Sequence, residues 1–105
     1  MKGFVRLKNE NTVGKIHFFH PKGNNLPTTI IKSLIDCLQK AEKDPDINVV
    51  ILESGGNDTF CSGASLSELK SIRNIETGTT FFMGFAKLLN TIRKMSKFIL
   101  ARVHG

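Results

Sequence analysis

The 105-residue chain has no tryptophan and no tyrosine, only two cysteines and three prolines. Without Trp or Tyr it lacks the stacking platform that interleaves with basic residues in single-strand nucleic-acid binders. Its fifteen Lys and Arg residues are scattered, with no run of five or more, so no nucleic-acid partner is expected. No apolar stretch approaches the roughly 20 residues needed to span a bilayer, which predicts a soluble chain with no membrane partner. The start, Met1 to Lys8, alternates apolar and polar residues instead of forming a continuous apolar signal core, so a cytoplasmic location is expected. Cys37 and Cys61 stand 24 positions apart without metal-ligand spacing, so both are expected to be reduced and no metal site is predicted.

What is present is an ordinary globular composition, 40% hydrophobic and 23% charged, with a net charge of +6. One domain over residues 1–105, or a piece of one, is the expectation from length. The positive charge favours an anionic partner, which could be nucleic acid, a membrane surface or a phosphorylated cofactor, and charge alone does not choose among them.

Phe4 to Lys8 and Val13 to Phe19 alternate in the manner of two strands, joined by Asn9-Glu10-Asn11-Thr12 as a hairpin turn. His20 to Asn25 breaks the second strand. Pro27, with Thr28 and Thr29, opens a helix whose Ile31, Leu34, Ile35, Leu38 and Ala41 share one face, ending near Lys43. Asp44-Pro45-Asp46 stops it, because proline disfavours helical geometry in the residue before it. Asn48 to Glu53 follows as a buried strand, giving the order β-β-α-β. After a turn over residues 54–65 come a short helix from Leu66 to about Ile72 and a polar stretch through Thr80, read as a loop or a mobile lid. A second long helix carries Phe82, Phe85, Leu89 and Ile92, with Phe81, Leu88 and Met95 widening its apolar face. Phe98 to Val103 reads as another buried strand, and His104-Gly105 begins a turn.

The most informative segment is Thr59-Phe60-Cys61-Ser62-Gly63-Ala64-Ser65-Leu66. It lies between the apolar run Val49 to Leu52 and a helix start, so it is a strand-to-helix turn that exposes backbone N–H groups. Small residues there let a substrate carbonyl approach the main chain, which makes the turn a candidate oxyanion hole.

In order along the chain, His20-Pro21-Lys22-Gly23-Asn24-Asn25-Leu26, Asp44-Pro45-Asp46-Ile47-Asn48-Val49-Val50-Ile51-Leu52, Phe60-Cys61-Ser62-Gly63-Ala64-Ser65-Leu66 and Lys97 to Gly105 resemble successive segments of the enoyl-CoA hydratase/isomerase, or crotonase, superfamily. The resemblance implies an α/β fold, a crotonase-like spiral of β-β-α units, incomplete at its C-terminal end. It implies an acyl-CoA thioester as the binding partner, with coenzyme A as part of the substrate and no permanently bound cofactor. It also implies a homo-oligomer, trimeric or hexameric, and an enolate stabilised by two backbone donors, one of them the Ala64 N–H.

Lys22, Gly23, Asn24 and Asn25 match the family's coenzyme A loop, where Lys22 could meet a phosphate or be a solvated loop lysine. Ser62, Gly63, Ala64 and Ser65 would line the thioester and pantetheine end. The family's second donor and its acid/base carboxylates match positions beyond Gly105, so the 105 residues alone are expected to have negligible hydratase activity.

Two positions depart from the pattern. Ser65 replaces an Asp, though its hydroxyl can still cap the following helix. Ser67 stands where many relatives carry a basic residue, leaving Lys70 as a substitute. Glu68 is expected to be solvated on a helix surface and Glu76 to sit in the polar segment. His17, His20 and His104 are expected to be structural, and Phe81, Phe82 and Phe85 to serve core or subunit contact before an acyl pocket. Two rival readings remain: a non-catalytic binding or assembly module, and a basic nucleic-acid binder.

Overall fold

A computed structural model describes residues 2–105. Its elements run β1 (Phe4–Glu10), β2 (Val13–Phe19), α1 (Thr28–Lys43), β3 (Val49–Ser54), α2 (Leu66–Ser71), α3 (Ile75–Arg93) and β4 (Phe98–Ala101). The four strands form one sheet in the order β1-β2-β3-β4, antiparallel between β1 and β2 and parallel thereafter. The parallel pairs require crossovers, supplied by α1 between β2 and β3 and by α2 and α3 between β3 and β4.

The hairpin is tighter than the expected four-residue turn. Pairing continues to Glu10↔Val13, and the two residues left over, Asn11 and Thr12, both take positive φ (51° and 70°). That is the primed geometry whose twist matches a right-handed strand pair, and Asn enters it readily. The Thr12 carbonyl then accepts from Asn48 N–H at 2.7 Å, which ties the hairpin to the entry of β3.

Strand alternation decides which side is core. Ile16, Phe18 and Val50 are buried on the inner face of the sheet, against Ile31, Leu34, Ile35 and Leu38 of α1. On β2 the positions between them are only half-buried, in step with the period of two. At Gly14 a Cβ would come within 3.0 Å of the buried Ile47 side chain, so the bare backbone lets the α1–β3 connection pack directly on β2.

Two expectations are corrected. The polar stretch before Thr80 is helical, not a loop or lid: α3 begins at Ile75, so Glu76 lies in its first turn, exposed. The Asn74 side chain accepts from Thr77 N–H at 2.8 Å while the Thr77 hydroxyl accepts from Asn74 N–H at 3.3 Å. This reciprocal cap overrides a run of weak helix formers through Thr80.

The last strand is also not buried: Phe98 is 80% exposed and Leu100 57%. β4 bonds only to β3, and its outward face has no covering element among the described residues. Of the phenylalanine cluster, Phe81 is buried, Phe85 is half-buried against it, and Phe82 is exposed.

Candidate functional site

The site grows from the end of β3. Ser54 pairs with Phe18, and Gly55 N–H donates to the Phe18 carbonyl at 2.9 Å, so the chain leaves the sheet beside the end of β2. The loop from His20 to Leu26 leaves there too, and one side chain joins the two. Asn24 is 3% exposed with φ of +54°. Its Oδ1 accepts from His20 N–H at 2.8 Å, and its Nδ2 donates to the Gly55 and Thr59 carbonyls, both at 2.8 Å. Phe60 adds an apolar anchor, edge-on to the buried Phe18 with ring centroids 5.5 Å apart.

Gly63, at φ +91°, turns the chain where a side chain would be strained. Its carbonyl accepts from Leu26 N–H at 2.8 Å, and Leu26 and Ala64 form an isolated parallel bridge. A bridge of the opposite phase would direct the Ala64 N–H at Asn25 and would need an N–H from residue 27, which is proline. The Ala64 amide accordingly has no acceptor among the described residues. Immediately after it, Ser65 is the N-cap of α2, its hydroxyl accepting from Glu68 N–H at 3.4 Å.

Glu68 does not follow the expectation of a solvated helix-surface residue. Its carboxylate reaches across 40 positions and accepts from the Thr28 N–H at 2.6 Å and from the Thr28 hydroxyl. The α1 N-cap position is Pro27, whose side chain offers no hydrogen bond, so Glu68 supplies the missing cap and sets a negative charge at the positive end of the α1 dipole. No local pattern announces a cap lent by a residue so far along the chain.

Between these segments lies a cleft of about 380 Å³, whose wall includes His20, Lys22, Asn25, Thr28, Ser65 and Glu68. Of the residues singled out from the sequence, Lys22, Asn25 and Ser65 line this cleft, and Asn24 is buried. Gly23 stands next to Ser62, where an added Cβ would be 3.4 Å from the Ser62 hydroxyl. The Asn25 Oδ1 is buried with no donor among the described residues.

Two histidines have partners that sequence spacing did not suggest. The parallel register sets His17 beside Glu53, with Nδ1 and Oε2 2.8 Å apart, and Arg102 approaches the same carboxylate at 4.0 Å. His104 Nε2 lies 3.2 Å from the Ser54 hydroxyl, and its ring packs edge-on to Phe60. Both contacts need the strand order before they can be seen. Among the described residues no cluster of His, Cys, Asp and Glu could hold a metal ion, and no helix is long and apolar enough to cross a membrane.

A β-hairpin followed by parallel crossover strands, with a small-residue turn at the end of β3, defines an α/β protein of the crotonase fold. The structure superposes on an enoyl-CoA hydratase/carnitine racemase of Magnetospirillum magneticum with a TM-score of 0.88 at 24% identity, over 96% of this chain and 39% of that one. The sequence pattern of the enoyl-CoA hydratase/isomerase family matches residues 8–105, and the chain belongs to that family.

It is 29% identical over 102 residues to a short-chain-enoyl-CoA hydratase of Clostridium acetobutylicum, covering 96% of this chain and 39% of that protein. It is 26% identical over 104 residues to the human mitochondrial 3-hydroxyisobutyryl-CoA hydrolase, covering 96% of this chain and 27% of that protein. The chain thus spans about two-fifths or less of the length of these curated relatives.

Proposed function

We propose that these 105 residues are the acyl-CoA-binding part of an enoyl-CoA hydratase/isomerase-like enzyme that stabilises a thioester enolate. The observation that carries this reading is the Ala64 N–H, which has no acceptor among the described residues and sits on a turn held by Asn24, by the Leu26–Gly63 hydrogen bond and by Phe60. A donor fixed before the substrate arrives stabilises developing oxygen charge without reorganisation, and one such donor is worth about 2.7–4 kcal/mol of barrier.

In this reading the thioester carbonyl accepts from Ala64, with Ser62, Gly63 and Ser65 around the thioester and pantetheine. Lys22 meets a coenzyme A phosphate, and Gly23, Asn24 and Asn25 shape the loop beneath it. Coenzyme A enters as part of the substrate, with no permanently bound cofactor. The working form is a homo-oligomer, trimeric or hexameric, acting in fatty acid metabolism in the cytoplasm.

Proton transfer needs a free acid or base within reach of the substrate. The one carboxylate on the cleft wall, Glu68, has both oxygens engaged by Thr28. The 105 residues alone therefore bind the thioester without turning it over.

Nuclear magnetic resonance of the 15N-labelled protein tests this. Crotonyl-CoA is expected to shift the Ala64 amide and its neighbours in residues 62–65, while coenzyme A alone shifts only the loop over residues 22–25. A titration that leaves residues 62–65 unmoved refutes the reading.

Exposed Phe82, Leu89, Phe98 and Leu100 favour a second reading, a non-catalytic binding or assembly module. Light scattering tests the second reading, because a stable monomer counts against assembly as the role, while crotonyl-CoA binding tests the first.

A further inference from the structure

A second cleft lies between α1 and α3 and shares no residue with the one at the Ser65 turn. Its volume is about 730 Å³, inside the range of roughly 300–1,000 Å³ that holds small ligands. Leu38 and Ala86 give it an apolar lining, joined by Met83 and Met95, whose unbranched thioethers adapt to a flexible chain. Gly84 also lines it, and a Cβ there would meet only Ile31 Cγ2, at 3.9 Å.

Three of the four charged groups at its edge are cationic. Lys43, Lys87 and Lys94 line the cleft, and none forms an ion pair among the described residues. The single lining carboxylate, Glu42, is already committed, accepting from Ser96 N–H at 3.1 and 3.2 Å and from the Ser96 hydroxyl at 2.7 Å.

We infer that this cleft binds an anionic single-chain amphiphile, a medium-chain carboxylate, with its alkyl chain against Met83, Ala86 and Met95 and its head group among the three lysines. An apolar wall gives the chain its burial free energy, and unpaired ammonium groups at the opening select the sign of the head group. A protein partner fits less well. The cleft involves twelve residues, whereas a standard protein interface uses about 20–30 residues a side.

The test is a titration of the protein with decanoate below its micelle concentration, followed by methionine-methyl and amide resonances. Decyltrimethylammonium and inorganic phosphate serve as the control probes. Saturable shifts at Met83, Met95 and Lys87 are expected with decanoate, and neither control should reproduce them.

Two variants keep the outcome independent of folding. The double variant Lys87→Glu with Lys94→Glu should weaken decanoate binding at least tenfold. Gly84→Leu should fill the cleft and abolish binding while raising the melting temperature, because leucine is a far better helix former than glycine. Equal binding of the cationic amphiphile, shifts centred on Thr28 and Ser65, or undiminished affinity in either variant overturns the inference.

Discussion

Replacing Asn24 should loosen the fold and the candidate oxyanion turn together. The side chain makes three hydrogen bonds at 2.8 Å, to His20 N–H and to the Gly55 and Thr59 carbonyls, from a position only 3% exposed. Asn24→Gly keeps the backbone free to hold φ +54° and removes all three bonds. At a net value of about 1 kcal/mol each, the loss is about 3 kcal/mol, rising where a carbonyl is left buried without a donor. Asn24→Ala loses the same bonds and also forces a Cβ into left-handed geometry, adding about 1 kcal/mol or more.

Urea unfolding followed by circular dichroism reads both differences. For a domain of this size 3 kcal/mol corresponds to a fall in melting temperature of about 12 to 24 °C. Asn24→Gly within 0.5 kcal/mol of the parent, roughly the scatter of neutral surface changes, would refute the view that this amide holds the two loops. An Asn24→Ala variant no less stable than Asn24→Gly would refute the backbone cost assigned to φ +54°. If the proposed function holds, the same variants should weaken crotonyl-CoA binding, since the turn that carries the Ala64 N–H loses its support.

The remaining expectations concern the helix ends and the cysteine on α1. Glu68→Ala should cost about 1 kcal/mol in urea melts, the usual value of a lost N-cap, with the largest rise in amide exchange at Thr28. Lys97→Met should destabilise by about 1–2 kcal/mol, because Lys97 Nζ donates to the Ala41 and Asp44 carbonyls, both at 2.6 Å, and places a cation at the α1 C-terminus. Hydrogen bonds from the Ser96 hydroxyl and N–H hold the Glu42 carboxyl below its ordinary value of 4.5. A depressed folded value means that its contribution is present above 4.5 and is lost as pH falls through the folded value, so Glu42→Gln should flatten acid denaturation over that window. Burial, reinforced by the Asp36 carboxylate, pushes the Cys37 thiol up. In a Cys61→Ser variant the remaining thiol should therefore react with iodoacetamide at pH 8 more slowly than a free thiol does, and an equal rate would contradict that placement.

Much of the fold was legible in short-range pattern. Ile31, Leu34, Ile35 and Leu38 fall on one face at helical spacing and are the buried face of α1. The hairpin followed from alternation, although its turn contracted to Asn11-Thr12 because primed geometry needs only two residues. The segment before Thr80 was misread because its cap combines Asn74 with Thr77, away from the familiar Ser/Thr and Glu pairing. β4 was misread because an apolar sequence announces a strand that prefers burial, while burial itself depends on what packs against it.

At the site the division is sharper. By itself the sequence determined that Gly63 and Ala64 lie in a small-residue turn between a strand and a helix, since glycine, residue size and hydrophobic runs act locally. It also determined that Pro27 has no N–H to give. Only the tertiary structure decided that Asn24 is the strut beneath that turn, that Glu68 caps a helix begun 40 residues earlier, and that the Ala64 N–H has no acceptor among the described residues. Those outcomes are hydrogen-bond choices among groups far apart in the chain, and which donor meets which acceptor is fixed only when the sheet register and the α1 crossover bring them within about 3 Å of one another.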